Sequence, residues 1–443
     1  MVKPYQYNAR HLENELQWLA DVIRQRYVCH RDNKKPDLDI EDLTAPDLSA
    51  FDSIYKTVVI ECNRINAVRI VLLLALIPNI RPFFLDDITN ALVNSSAENA
   101  WPAKAGTVPT IDLALFILAG DNLEKRFYYQ QMFSPGTFLI QNGILIIDCD
   151  SAHEIQLQQP LKISPEYLSL LTVGKPYKPG FSMAFPAKRI ETGLDWSDLV
   201  LSNSTLEQVN EINLWIRHSK TLLHEWGLEK RLAPGYKVLF YGPPGTGKTF
   251  TASLIGKQTG FDVYRIDLSM VISKYIGETE KNLSGIFNAA SDKEWILFFD
   301  EADALFGKRS DLKDSHDRYA NQEVAYLLQK IEEHNGVVIL SSNMRSNIDD
   351  AFTRRFQNVI HFAMPTAAER LQIWQQAFSN KTVLAGNVNL EYVAAQYELS
   401  GGAIMNVIRY ASLKALEQSS NIIQMHDIVK GIRREYNKEG RTV

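Results

Sequence analysis

Residues 237–256 read KVLFYGPPGTGKTFTASLIG. Val238 to Tyr241 form a short apolar run of the kind that fills a buried strand, and the residues after Lys248 follow a helical pattern. Between them lies G-x-x-x-x-G-K-T: Gly242, Pro243, Pro244, Gly245, Thr246, Gly247, Lys248 and Thr249, with Phe250 next along the helix. Glycines at these positions let backbone N–H groups wrap phosphate oxygens where a side chain would block approach. The helix N-terminus adds a favourable dipole. Lys248 is expected to reach the β- and γ-phosphates of a nucleotide, and Thr249 to hold Mg²⁺. A bare glycine-rich turn is the blander reading, but the strand before and the helix after are the context that phosphate binding requires.

Working outward, ILFFDEAD at 296–303 supplies a second buried strand. It delivers Asp300 at its carboxyl end, where a carboxylate can hold Mg²⁺ through water, and places Glu301 to orient and polarise an attacking water. Asp303 reads as a helix-start residue rather than a catalyst. The letters D-E-A-D suggest an RNA helicase, but such an enzyme needs a second domain of well over a hundred residues to close over the nucleotide. Only about eighty residues follow the last expected strand, and they read as helical. Instead, VVILSSN at 337–343 ends a further strand on the amide of Asn343, and IDDAFTRRF at 348–356 sets Arg354 beside Arg355. Arginine suits the phosphate charge of a transition state. A local salt bridge at a helix end is the other reading of that pair.

Short buried strands at 238–241, 262–266, 295–300, 337–341 and 359–362, separated by helical segments, predict a mostly parallel α/β sheet. From Thr366 the chain turns helical. Thr366 and Glu369 form a capping box opening a helix through Phe378, and further helices are expected near Asn389, Gly402 and His426.

The first part of the chain is different. HLENELQWLADVI puts Leu12, Leu16, Leu19 and Ile23 on one helical face, and 68–77 reads as a buried helix ended by Pro78. In TFLIQNGILIID, residues 137–148, Asn142-Gly143 predicts a hairpin turn. Helices followed by a hairpin suggest a winged-helix-like domain. This hairpin has no Lys or Arg, so packing or docking is favoured over DNA binding. Residues 173–190 carry Pro176, Pro179, Pro186, Gly174 and Gly180, which read as a connector. The resulting division is 1–172, a linker at 173–192, an α/β domain at 193–364, and a helical lid at 365–443.

Composition agrees with a globular protein. Of 443 residues, 45% are hydrophobic and 22% charged, and the net charge of −5 gives no support to a nucleic-acid coat. Cys29, Cys62 and Cys149 form no C-x-x-C pair, so a reducing compartment is the default. The first residues lack a signal-peptide core, and the longest apolar run, 70–77, is too short to span a bilayer. A cytoplasmic protein with no membrane partner is expected.

From Asp195 to the C-terminus the chain resembles an AAA+ ATPase of the AAA subgroup that includes katanin, spastin and the ESCRT disassembly ATPases. The resemblance implies a RecA-like parallel sheet with a C-terminal helical lid, ATP and Mg²⁺ as cofactors, and hydrolysis to ADP and phosphate. The Walker A motif falls on Gly242 to Thr249, Walker B on 296–301, and sensor 1 on Asn343. Arg354 and Arg355 match tandem arginine fingers, which in the family act on ATP held by the neighbouring subunit. That implies a homo-oligomeric ring, usually a hexamer. In SKYIGETEKNLSGIF, residues 273–287, Lys274, Tyr275, Ile276 and Gly277 match the pore loop that grips a polypeptide; a tyrosine packed under a loop is the plainer reading. GKRSDLKDSHDRYANQE, 307–323, suggests a second pore or interface loop, in which His316 reads as a solvated side chain.

In LSGGAIMNVIRYA, 399–411, Gly401, Gly402 and Ala403 match the small residues that let the lid approach adenine, while Arg409 reads as a helix-face charge. LDWSDLVL, 194–201, including Asp198, resembles the adenine-contacting segment, although it lacks the usual glycine. A narrower resemblance rests on FPAKRIETGLDWSDLVL, DLSMVISKYIGETEKNL and DSHDRYANQEVAYLLQKIE: these look like bacterial AAA+ ATPases encoded with contractile injection systems. The expected function is ATP-driven remodelling, unfolding or disassembly of a protein client, recruited directly or through an adaptor by the N-terminal domain. The alternatives are a nucleic-acid remodeller of helicase-loader type and an ATP-switched assembly scaffold.

Overall fold

A computed structural model describes residues 3–32, 38–48, 53–61, 66–93, 108–134, 136–147, 157–182, 185–271, 278–291, 293–304, 315–343, 353–379 and 381–441. The chain divides into two compact units, Met1–Lys178 and Pro179–Val443.

The first unit is mainly helical. It comprises α1 (Pro4–Arg31), α2 (Ile54–Glu61), α3 (Asn66–Ile80), α4 (Phe84–Val93), α5 (Ile111–Ala119), α6 (Leu123–Gln130), α7 (Phe138–Gln141), β1 (Leu145–Ile146), β2 (Lys162–Ile163) and α8 (Pro165–Thr172). Leu12, Leu16, Leu19 and Ile23 of α1 are buried as their spacing predicts. α3 is buried on every side from Asn66 to Ile77, as befits a helix apolar all round. Pro78 does not end it. The helix runs two residues further because Pro78 removes one N–H near the terminus, and Arg81 N–H still donates to the Ile77 carbonyl at 2.9 Å. Arg69 of α3 is buried against Glu15, which also accepts from Tyr55 Oη at 3.1 Å, and Arg69 donates to the Pro46 carbonyl at 2.9 Å. Every carboxylate oxygen and most guanidinium nitrogens there have a partner, the condition under which a buried charge is tolerated.

The hairpin expected around Asn142-Gly143 does not form. Phe138–Gln141 is a turn of helix. Gly143, at φ 60°, closes it, with Gly143 N–H donating to the Ile140 carbonyl at 3.0 Å and Ile144 N–H to the Leu139 carbonyl at 3.0 Å. This is the Schellman pattern, and it draws on the same left-handed glycine that a two-residue hairpin turn would use. β1 instead pairs antiparallel with β2, Leu145 opposite Ile163.

The second unit is an α/β sheet followed by helices. It comprises β3 (Ala187–Ile190), α9 (Asn203–Lys220), β4 (Tyr236–Tyr241), α10 (Lys248–Thr259), β5 (Asp262–Asp267), α11 (Leu268–Val271), α12 (Glu278–Ala290), β6 (Trp295–Asp300), α13 (Ser315–Glu333), β7 (Val337–Ser342) and β8 (Asn358–His361). The sheet order is β3-β5-β6-β7-β4-β8. All pairs are parallel except β3 with β5. The five expected strands are present, with bounds shifted by at most two residues. β3 lies in the stretch read as linker. It is an edge strand, so Pro186 just before it costs no ladder bond. One face of the sheet buries Leu239, Leu297, Phe299 and Leu340, and the other Val238, Phe240, Ile296, Phe298 and Ile339, the alternation of a sheet covered on both sides.

The lid follows as α14 (Ala367–Ala377), β9 (Val383–Leu384), α15 (Leu390–Gln396), α16 (Gly401–Glu417), β10 (Ile422–Ile423) and α17 (Met425–Lys438). The Thr366–Glu369 capping box is present. Asn389, Ser400 and Gln424 are the N-caps of the next three helices, within two residues of the expected starts. Among the described residues, no single helix is long and apolar enough to cross a membrane.

Lys237 in β4 is 2% exposed, and its Nζ donates to the His334 carbonyl at 2.7 Å. Burial pulls its pKa from 10.5 down to about 8, with Glu332 acting weakly the other way. The depressed value means that its favourable term is complete above the unfolded value of 10.5 and is lost as pH falls through about 8. Urea denaturation should therefore show the wild type gaining stability on Lys237→Met as pH rises from 8 towards 10.5. A difference that stays flat over that window would contradict the assignment.

Candidate active site

The loop between β4 and α10 is shaped by its glycines. Gly242 has φ 146° and Gly245 φ 77°. A Cβ on Gly242 would meet the Phe362 carbonyl oxygen at 2.0 Å, and one on Gly245 would meet Ser400 Oγ at 2.6 Å. Backbone and lid therefore approach to distances that only glycine permits. Gly402 N–H at the start of α16 donates to the Gly245 carbonyl at 2.9 Å, so lid and loop are directly hydrogen-bonded.

Between them lies a cavity of about 700 Å³. Its wall contains Pro244, Gly245, Thr246, Gly247, Lys248, Thr249 and Phe250, with Asp300, Glu301, Asn343, Asp198 and Gly402. Gly242, Pro243 and Ala403, also assigned to the nucleotide by sequence, do not line it. Gly242 and Pro243 instead offer their carbonyls to Lys248 Nζ, at 2.6 and 3.0 Å. Ala403 is buried and donates its N–H to Ser400 Oγ at 3.3 Å, within the N-cap of α16.

Lys248 is 7% exposed and donates a third bond to Asn343 Oδ1 at 3.1 Å. Burial holds its pKa below the ordinary lysine value, against an upward pull from Asp300 and Asp303. Polyphosphate oxygens would supply the charge that such a buried ammonium favours. Thr249 Oγ1 faces Asp300 Oδ2 at 3.5 Å. The other oxygen, Oδ1, accepts from Glu301 N–H at 3.1 Å. Glu301 has φ 54°, one of two non-glycine residues in that region among the described residues. Strain of this kind costs about 1–3 kcal/mol and clusters at functional sites. Here it turns the Glu301 side chain, exposed, off the end of the strand and into the cavity wall.

The hydroxyl and carboxylate suit a hard divalent cation. Among the described residues no group of three His, Cys, Asp or Glu could hold a metal. Phosphate oxygens and water would complete the shell of a cation held by these two groups, which is how Mg²⁺ binds nucleotides.

Two residues at the site escaped sequence reasoning. Asp303 Oδ1 accepts from Ser342 Oγ at 2.5 Å and Oδ2 accepts from Asn343 N–H at 2.8 Å, so it fixes the end of β7 and thereby Asn343. Arg265 of β5 stands with Nε 2.9 Å from Asp300 Oδ2. The first was visible in the D-E-A-D letters but read as a helix start. The second requires the β5–β6 register, which sequence does not provide.

Asp198 sits in a turn at Trp196–Asp198, and its Oδ2 accepts from Asp195 N–H at 2.7 Å. Lys257 of α10 anchors that segment through the Leu194 carbonyl at 2.8 Å and Asp195 Oδ1 at 2.7 Å. Arg354 and Arg355 are exposed and neither lines the cavity of their own chain. Arg355 Nε is 3.0 Å from Glu332 Oε1, so the local ion pair exists for that residue. Lys274, Tyr275, Ile276 and Gly277 lie outside the described residues, as do residues 307–314 and the side chain of His316.

A loop, strand-end carboxylates and lid arranged in this way define a P-loop nucleotide site on an α/β sheet. Residues 238–364 match the family described as "ATPase family associated with various cellular activities (AAA)". The chain is 33% identical over 219 residues to the proteasome-activating nucleotidase of Aeropyrum pernix, covering 48% of this chain and 52% of that protein. It is 31% identical over 213 residues to the 26S proteasome regulatory subunit 6B homolog of Dictyostelium discoideum, covering 46% and 53%. It is 28% identical over 272 residues to the peroxisomal ATPase PEX6 of Candida glabrata, covering 59% and 26%. The chain spans about half the length of the first two of these relatives, or less in the case of PEX6.

Proposed function

We propose that this protein hydrolyses ATP in a homo-oligomeric ring, six-membered as in the AAA subgroup, and uses the energy to remodel, unfold or disassemble a protein client. The observation that carries the proposal is the single cavity into which Lys248, Thr249, Asp300, Glu301 and Asn343 converge beneath the lid. Similarity to ATPases named for proteasome activation and for peroxisomes supports a protein client over a nucleic acid.

The residues have separate tasks. Loop N–H groups and Lys248 bind the polyphosphate. Thr249 and Asp300 hold Mg²⁺, which, when bound, neutralises charge on the β- and γ-phosphates. Glu301 orients a water and takes its proton. Asn343, fixed through Asp303, positions that water or the γ-phosphate. Asp198 and Gly402 in the cavity wall would face the base, and Ala403, buried in the first turn of α16, would act only through the placement of that turn. Arg354 and Arg355 come from a neighbouring copy. Movement of the lid is passed through the Gly402–Gly245 bond to the loop that holds phosphate, and on to a client held by Lys274, Tyr275, Ile276 and Gly277. The mainly helical first unit, with its short antiparallel β1–β2 pair, would recruit the client or an adaptor. The sequence runs that resemble ATPases of contractile injection systems support a cytoplasmic machine acting on such an assembly or its parts.

Tyr275→Ala tests the reading. Basal ATPase should stay within about twofold while stimulation by an unfolded protein and processing of that protein are lost. Stimulation by DNA or RNA instead would favour a nucleic-acid remodeller, and unchanged processing would favour a scaffold switched by ATP.

A further inference from the structure

Asp300 serves more than the metal. Its side chain is only 14% exposed, and its Oδ1 is taken by Glu301 N–H. Oδ2 remains, and it faces Thr249 Oγ1 at 3.5 Å. The same oxygen has the Arg265 guanidinium 2.9 Å away. The β5–β6 register pairs Arg265 with Phe298 and Asp267 with Asp300, so Arg265 reaches two residues forward along the sheet to make this contact.

The contact is Coulombic rather than a directed hydrogen bond: Arg265 Nε–H has no hydrogen-bond acceptor, although the charges are close. An arginine locked onto a carboxylate would form the planar bidentate pair. Arg265 does not line the cavity, and its side chain is 41% exposed. It therefore contacts Asp300 without entering the cavity wall, with its Nε buried at the contact and the rest of the side chain reaching solvent.

From this geometry we infer that Arg265 competes electrostatically with Mg²⁺ for Asp300 Oδ2 and so sets the free Mg²⁺ concentration at which nucleotide is held tightly. The inference rests on the nucleotide site proposed above. A fixed cation beside the one free oxygen lowers the charge that a second cation meets there. With a separation of a few ångströms and the high effective dielectric of a partly exposed site, the effect on metal affinity is about tenfold. The consequence is a site whose metal exchanges readily, because part of the carboxylate's charge is permanently answered by the protein.

The test uses the full chain and a fluorescent, non-hydrolysable ATP analogue, titrated with Mg²⁺ from an EDTA-buffered start. Arg265→Gln should lower the half-saturating Mg²⁺ concentration by about tenfold and leave the metal-free affinity unchanged. Arg265→Lys keeps the charge and should stay within about threefold of wild type. A half-saturation point unchanged or raised in Arg265→Gln overturns the inference, and so does an equal shift in Arg265→Lys, since charge would then not be the cause. Analogue binding to wild type that is insensitive to Lys248→Ala would overturn the nucleotide site itself, and the inference with it.

Discussion

Replacing Glu301 by Gln lowers ATP turnover by about a hundred- to ten-thousandfold and leaves nucleotide binding within a few fold of wild type. The amide has the size of the carboxylate but cannot accept the proton of an attacking water. Binding survives because the contact between residues 300 and 301 runs through the backbone: Glu301 N–H, not its side chain, is bonded to Asp300 Oδ1. The backbone at φ 54° is unaffected by the exchange, and the side chain is exposed, so folding should not change. Phosphate release measured beside binding of a fluorescent nucleotide checks both halves. Normal hydrolysis by the variant would remove Glu301 from its role as base.

Arg354→Ala should lower turnover by about a thousandfold or more, the range in which a supplied arginine acts on a phosphoryl transition state. Arg354 is exposed, does not line its own cavity and makes no ion pair among the described residues, as expected of a residue that acts on a neighbour. Arg355→Ala should be milder, because its guanidinium stands 3.0 Å from Glu332 and so already has a partner within its own chain. Phosphate release by the two variants at equal oligomer concentration makes the comparison. Equal, small losses in both would remove the arginine pair from catalysis.

Most of the α/β unit was legible because its signals are local. A buried strand, a glycine-rich loop and a capped helix each carry their reason within about ten residues, and Thr366 with Glu369 shows the same for the lid. Features that depended on context were misread. Asn142-Gly143 satisfies a helix end as well as a hairpin, and only the pairing of Leu145 with Ile163, eighteen positions apart in the chain, decides between them. Pro78 is tolerated near a helix terminus, and Pro186 precedes an edge strand where no ladder N–H is needed. Asp303 and Arg265 gain their meaning from neighbours on other strands, Ser342 and Asp300, that no spacing rule connects. The motif residues were found by chemistry; the residues that hold them in place required the sheet order.

The central claim is that each nucleotide is served by two copies of the chain, and mixing tests it most directly. Lys248→Ala subunits cannot hold the phosphates but still present Arg354. Arg354→Ala subunits hold ATP but present no finger. Each variant alone should be inactive, and the two mixed in equal amounts should regain a substantial fraction of wild-type phosphate release. If the mixture stays as inactive as its components while assembling normally, or if Arg354→Ala is active alone, the shared site does not exist.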